Sequence, residues 1–104
     1  MSIESDGMHK KLELRLFAEN DQETGVLLAV YFQIRKGHAA RVLELANGAA
    51  FANYDRKGRL LGIEMLAPCE IQVLDQIARK EPAEFKNRIK KFLRESMPKK
   101  MARA

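Results

Sequence analysis

Residues 26–66, VLLAVYFQIRKGHAARVLELANGAAFANYDRKGRLLGIEML, carry the one strongly specified pattern in the chain and read as two consecutive β-hairpins. Val26, Leu28, Val30, Phe32 and Ile34 fall on one face of the first strand, and Leu27, Ala29, Tyr31, Gln33 and Arg35 fall on the other, the period of two that marks an extended segment. Lys36-Gly37-His38 reads as a short hairpin connection, with Gly37 in the positive-φ conformation of a tight turn, and residues 39–45 return. Asn47-Gly48 is the clearest turn signal in the chain and leads into residues 49–54; Asp55-Arg56-Lys57-Gly58 then turns into residues 60–66.

Upstream, Leu12, Leu14 and Leu16 alternate with Glu13, Arg15 and Phe17, a half-buried strand closed by Asn20, Asp21 and Gly25. Five antiparallel strands joined by short turns predict a meander, because strands linked in this way are neighbours in the sheet. The expected sheet core is Leu14, Leu16, Val26, Leu28, Val30, Phe32, Ile34, Leu43, Phe51, Ile63 and Met65.

After Pro68 the period changes. Ile71, Leu74, Ile77 and Ala78 share one face of a short helix, although residues 69–75 also admit a sixth strand. Pro82 suits a first helical position, and Phe85, Ile89, Phe92 and Leu93 recur at i, i+4, i+7 and i+8 with Lys86, Arg88, Lys90, Lys91 and Arg94 on other faces, which predicts an amphipathic helix. Met97-Pro98-Lys99-Lys100 stops it. The predicted class is α+β: a five-stranded antiparallel β-meander packed by one or two C-terminal α-helices. The expected divisions are a flexible leader over 1–10, the sheet over 11–67, a helical segment over 68–96 packed on the sheet, and a basic mobile tail over 97–104.

The two hairpins resemble a small bacterial family catalogued as domain of unknown function 2283. The resemblance rests on Val30 to Arg35, Lys36-Gly37, Arg41 with Glu44-Leu45, Tyr54-Asp55 with Gly58, and Gly62-Ile63-Glu64, in that order along about 40% of the chain. Asn53 stands where that family often carries Asp, and the basic C-terminal extension lies outside its pattern. The resemblance implies a small β-rich soluble domain without an established activity, some of whose relatives are suspected antitoxin-like partners of small toxins.

With 104 residues the chain holds one core without staples. Its single cysteine, Cys69, cannot form an internal bridge, and no CxxC or close His/Cys spacing suggests zinc. A reducing cytoplasm is the expected compartment, and the longest apolar run, residues 26–32, is far shorter than a membrane span. No cofactor is expected. The net charge of +5 is unevenly spread: residues 79–104 hold ten Lys+Arg against three Glu, and the rest holds nine Lys+Arg against eleven Asp+Glu. A basic terminal segment draws phosphates or an acidic protein surface.

Glu44, Asp55 and Glu64 are the candidates for acid-base or cation chemistry, weighed against a solvent-facing strand residue at Glu44, a turn former at Asp55 and an ion-pair partner for Arg41 at Glu64. His9, His38, Ser2, Ser5 and Ser96 are poorly placed to assemble a nucleophile, so the expectation is no catalysis and no metal. The leading expectation is a non-enzymatic binding module that sequesters or regulates a protein partner in the manner of an antitoxin, with Phe85, Ile89 and Phe92 as contact residues. The alternative is nucleic-acid binding through Lys86, Arg88, Lys90, Lys91 and Arg94, argued against by the absence of tryptophan, the scarcity of aromatic residues and the expectation of no exposed aromatic stripe of the kind that stacks bases. Edge strands also admit a homo-oligomer.

Overall fold

The computed structural model describes residues 11–103. The leader expected over 1–10 lies outside the described residues. Five strands form one antiparallel sheet: β1 (Arg15–Asn20), β2 (Leu27–Gln33), β3 (Arg41–Leu45), β4 (Ala50–Tyr54) and β5 (Leu60–Met65). Helix α1 (Ile71–Arg79) and helix α2 (Ala83–Ser96) pack on one face of that sheet, giving the α+β architecture that the periodicity predicts.

The strand order is β1-β2-β5-β4-β3, so the first of the two predicted hairpins does not form. Residues 34–40 instead carry the chain past two strands to the far edge. Strands β3, β4 and β5 then return as consecutive hairpins until β5 pairs with β2, a Greek-key arrangement traced backwards. Burial explains the choice. In β5 every residue but Glu64 is buried, whereas in β3 only Leu45 escapes full exposure. A strand this deeply buried is best satisfied between two neighbours that pair its backbone on both edges, and one exposed on both faces belongs at an edge. Gly37, at φ 158°, is close to extended rather than folded into a tight turn, and the amides of Ile34 and Arg35 both donate to the Leu61 carbonyl. The second hairpin forms as read. So does the turn at Asn47-Gly48, where Ala46, Asn47 and Gly48 all take left-handed φ values of 51°, 56° and 90°.

Two irregularities set which side chains face the helices. Glu19 pairs with Ala29 but Asn20 pairs with Leu27, so Leu28 bulges out, Leu27 turns toward the core, and Val26 and Leu28 are exposed. A second shift, at the start of β5, places Leu60 opposite Tyr54 and Gly62 opposite Asn53. In β4 the expected phase is reversed: Ala50, Ala52 and Tyr54 face inward opposite Met65, Ile63 and Leu60, and Phe51 faces out. The small alanines leave room for the bulk supplied by Phe32, Ile63 and Met65. Leu16 and Leu43 stand on the inner face but on the two edge strands, where both remain exposed. Of the expected sheet core, Val30, Phe32, Ile34, Ile63 and Met65 are buried and Leu14 packs partly against them.

Helix α1 buries Leu74, Ile77 and Ala78, and α2 buries Ile89 and Leu93. The Phe92 ring meets Phe32 edge-on, with centroids 6.0 Å apart. Arg35, almost wholly buried at the end of β2, ties the two layers together: one nitrogen donates to the Leu60 carbonyl, another lies 2.6 Å from the Glu81 carboxylate between the helices, and the guanidinium sits 5.6 Å from the Phe85 ring centre. A buried arginine persists only with such a set of partners.

In the C-terminal segment, where a basic mobile tail is expected over 97–104, residues 97–103 make defined contacts. Met97 packs partly on the core, a 3₁₀ turn over Lys99–Met101 buries the Met101 side chain to 4% exposure, and β7 (Ala102–Arg103) pairs in parallel with β6 (Cys69–Glu70). The run of lysines conceals one apolar anchor. Met101→Ala should lower stability by about 2–5 kcal/mol in denaturant unfolding, the range for emptying a buried methionine site, whereas a solvated tail would give no change.

Candidate functional site: the open face of the sheet

Among the described residues, no element covers the face of the sheet opposite the helices. The registers align one residue from each strand into a row across it: Phe17, Tyr31, Glu64, Phe51 and Glu44. A parallel row holds Arg15, Gln33, Gly62, Asn53 and Val42. Phe17 is 50% exposed and Val42 57%, while Tyr31, Phe51 and Glu64 are half-buried by each other. Three aromatic rings thus share one surface, a stripe that the sequence reading did not find. Its signal was the phase of β4, since placing Ala50 and Ala52 inward turns Phe51 out.

Gly62 makes this surface possible. A Cβ there would lie 2.1 Å from the Tyr31 hydroxyl oxygen and 2.7 Å from the Phe32 carbonyl oxygen, so the hydroxyl end of the tyrosine lies over the glycine in the neighbouring strand. The ring thereby closes one side of a hollow of about 210 Å³ between β1, β2 and β5, whose walls include Phe17, Glu19, Ala29, Tyr31 and Glu64. The small side chain of Ala29 opposite Glu19 leaves the space.

The three acidic candidates separate. Glu44 and Glu64 lie in one row but with the Phe51 ring between them, and the Glu44 carboxylate leans to within 3.6 Å of where a Gly48 Cβ would sit. Asp55 is a turn former at the far end of the sheet: it accepts from the Lys57 and Arg59 amides, each at 2.9 Å, and pairs with the Arg59 guanidinium at 2.8 Å. Burial alone raises its pKa, but the two amides and the Arg59 charge outweigh it and hold the carboxyl below its ordinary value. Nearby, burial and the Glu81 charge push the Tyr54 hydroxyl pKa up, partly offset by Arg41, whose guanidinium lies 5.0 Å from the Tyr54 ring centre. Among the described residues no group of three or more His, Cys, Asp or Glu converges as a metal site.

The residues singled out on α2 are also redistributed. Phe85, Ile89 and Phe92 point into the core, with Ile89 fully buried, so the apolar row is spent on the sheet and is not presented to a partner. At 100° per residue, Lys86, Lys90 and Arg94 form one flank, where the Arg94 guanidinium pairs with Asp75 of α1. Lys91 and Arg88 lie toward the crest together with Glu84 and Glu95. Around the helix Lys86, Lys90, Arg94 and Lys91 follow one another with only Ala83 and Asn87 among them, and Glu84 and Glu95 separate them from Arg88. Cys69 is buried in β6, directly before the Glu70 N-cap of α1. No described helix is long and apolar enough to cross a membrane.

Comparison with protein-family models, with curated proteins and with solved structures finds no match.

Two consequences are measurable. The folded pKa of Asp55 lies below the unfolded value of about 3.9, so its stabilisation is complete above that value and is lost as pH falls through the folded pKa. Asp55→Asn should therefore flatten the acid limb of a stability-against-pH curve while lowering stability at pH 7 by about 1–3 kcal/mol. Gly62→Ala should destabilise the fold and shift the Tyr31 side-chain resonances, since the Phe32 carbonyl cannot yield as a flexible side chain can; unchanged thermal unfolding would contradict the tyrosine-over-glycine packing.

Proposed function

We propose that this chain is a non-enzymatic cytoplasmic binding module that sequesters or regulates a protein partner, in the manner of an antitoxin, through the open face of its sheet. The observation that carries the reading is the row Phe17, Tyr31, Glu64, Phe51 and Glu44, which lies on a face that no described element covers. Aromatic side chains offer large, rigid contact area and dominate binding energy at protein interfaces. Among the described residues, strands β1 and β3 border this face as the two edges of the sheet, β1 exposed throughout, and both are able to extend the sheet with an added strand. Membership in the domain of unknown function 2283 family is part of the same proposal; the motifs named above support it, and five of their residues, Tyr31, Gln33, Glu44, Gly62 and Glu64, belong to this face.

Catalysis is not part of the proposal. The carboxylates are separated, and Asp55 is engaged by its own turn. Nucleic-acid binding through Lys86, Arg88, Lys90, Lys91 and Arg94 is the competing reading, weakened by the pairing of Arg94 with Asp75 and by the interspersed Glu84 and Glu95.

The test is recovery of the tagged full-length protein from its native host with and without nuclease, for wild type, a Phe17→Ala/Phe51→Ala variant and a Lys90→Ala/Lys91→Ala variant. A stoichiometric protein that survives nuclease, is retained by the lysine variant and is reduced at least about tenfold by the phenylalanine variant is expected, two such truncations being worth more than about 1.4 kcal/mol. Nucleic acid that washes off with salt and depends on the lysines would overturn the reading.

A further inference from the structure

The sheet face is acidic as well as aromatic, although the chain as a whole is basic. Its outward charged strand residues are Glu19, Glu44 and Glu64 against Arg15, whereas Lys86, Arg88, Lys90, Lys91 and Arg94 lie across the molecule on α2. Among the described residues, none of these three glutamates forms an ion pair. Two of them, Glu19 and Glu64, line the hollow walled by Phe17 and Tyr31. Carboxylates set against ring faces are what a guanidinium or ammonium group selects: the charge pairs with the carboxylate while the flat or alkyl part of the side chain lies on the ring.

We propose that the hollow between β1, β2 and β5 is a receptor for an arginine or lysine side chain on a basic segment of the protein partner. This rests on the reading of the open face as a protein-binding surface and specifies the chemistry of what binds there. Charge complementarity selects the occupant. A nucleic-acid backbone would meet Glu19, Glu44 and Glu64 and be repelled, and residues 1–10 of this chain carry Glu4 and Asp6 against Lys10, so they do not complement the face either. Size agrees. At about 210 Å³ the hollow is smaller than the roughly 300–1,000 Å³ of sites that enclose a small-molecule ligand, and suits one side chain anchored from outside. Glu64 is the primary ligand because Tyr31 and Phe51 flank it in register, so a cation paired with it is shielded by a ring on each side. Glu19, on the edge strand, supplies the second carboxylate.

The probe is a short capped peptide of alternating Arg and Ala, compared with its citrulline counterpart, which has nearly the same shape and no charge. Each is titrated at low salt into isotope-labelled full-length protein while backbone amide shifts are followed. The expected result is a cluster of shifts at Phe17, Glu19, Tyr31 and Glu64, weakened at least about tenfold for the citrulline peptide and for a Glu19→Gln/Glu64→Gln variant. Lys90→Ala/Lys91→Ala should leave binding unchanged. Both glutamates are at the surface and the replacements keep their shape, so the amide spectrum of the variant should otherwise match that of wild type. Equal binding of the two peptides, or shifts centred elsewhere, would overturn the proposal. Self-association abolished by the same two glutamine replacements would also overturn it, in favour of a second copy's basic helix as occupant. Deleting residues 1–10 should leave the peptide affinity unchanged; a gain of tenfold or more would make the chain's own leader the occupant and overturn it as well. The two readings fail separately. Partner capture that depends on Phe17 and Phe51 but not on Glu19 and Glu64 would sink the cation site and spare the interface. A charge-dependent peptide site with no protein captured from the host would support the cation site and remove the partner reading.

Discussion

Strand β5 is the segment around which the fold is arranged. Leu60, Leu61, Gly62, Ile63 and Met65 are all buried, and a strand enclosed to that degree must have its backbone groups paired on both edges, since water is not there to satisfy them. The β4–β5 hairpin satisfies one edge. The other is taken by β2, at the expense of the short hairpin that β2 and β3 would otherwise make. The cost is a longer loop to close, which rises only slowly with length, and the return is a central strand pair of Val30 with Met65 and Phe32 with Ile63. Those residues form the floor on which Leu74, Ile77, Ile89 and Leu93 pack.

One-sided packing follows from the same arrangement. Both helices descend after β5, at one end of the sheet, and both lie on the face where Ala50 and Ala52 leave room for them. Arg35 and Glu81 fix the far end of that layer, and Met101 with the β6–β7 pair fixes the near end. With the helical layer held at both ends, nothing described here is left to cover the other face. The aromatic row there is consequently a product of register: it takes β1, β2, β5 and β4 in correct pairing to bring Phe17, Tyr31 and Phe51 together from positions far apart in the chain.

Charge is sorted by the same layers. The basic residues of α2 lie on the helical side, partly neutralised by Asp75, Glu84 and Glu95, and the carboxylates of β1, β3 and β5 point from the sheet side. A single net charge of +5 conceals two surfaces of different character, and it is the surface potential near a contact, not the total, that selects a partner at short range in physiological salt.

The sequence by itself determined the class and most of the elements. Period-two alternation located the strands, the change of period after Pro68 located α1 and α2, and Asn47-Gly48 and Asp55 to Gly58 located two turns, because each of these signals is local and is read from a few neighbouring residues. It did not determine the order of the strands, the inward phase of β4, the outward turn of Leu28 or the docking of Met101. Each of those depends on competition between distant segments: β2 and β3 for the edge of β5, Ala52 and Phe51 for the helical face, one bulge against the regular pleat. The candidate site was hidden for the same reason. Glu64 was visible as a residue, but its flanking rings come from β2 and β4, and only the tertiary pairing of those strands with β5 places Tyr31 and Phe51 beside it.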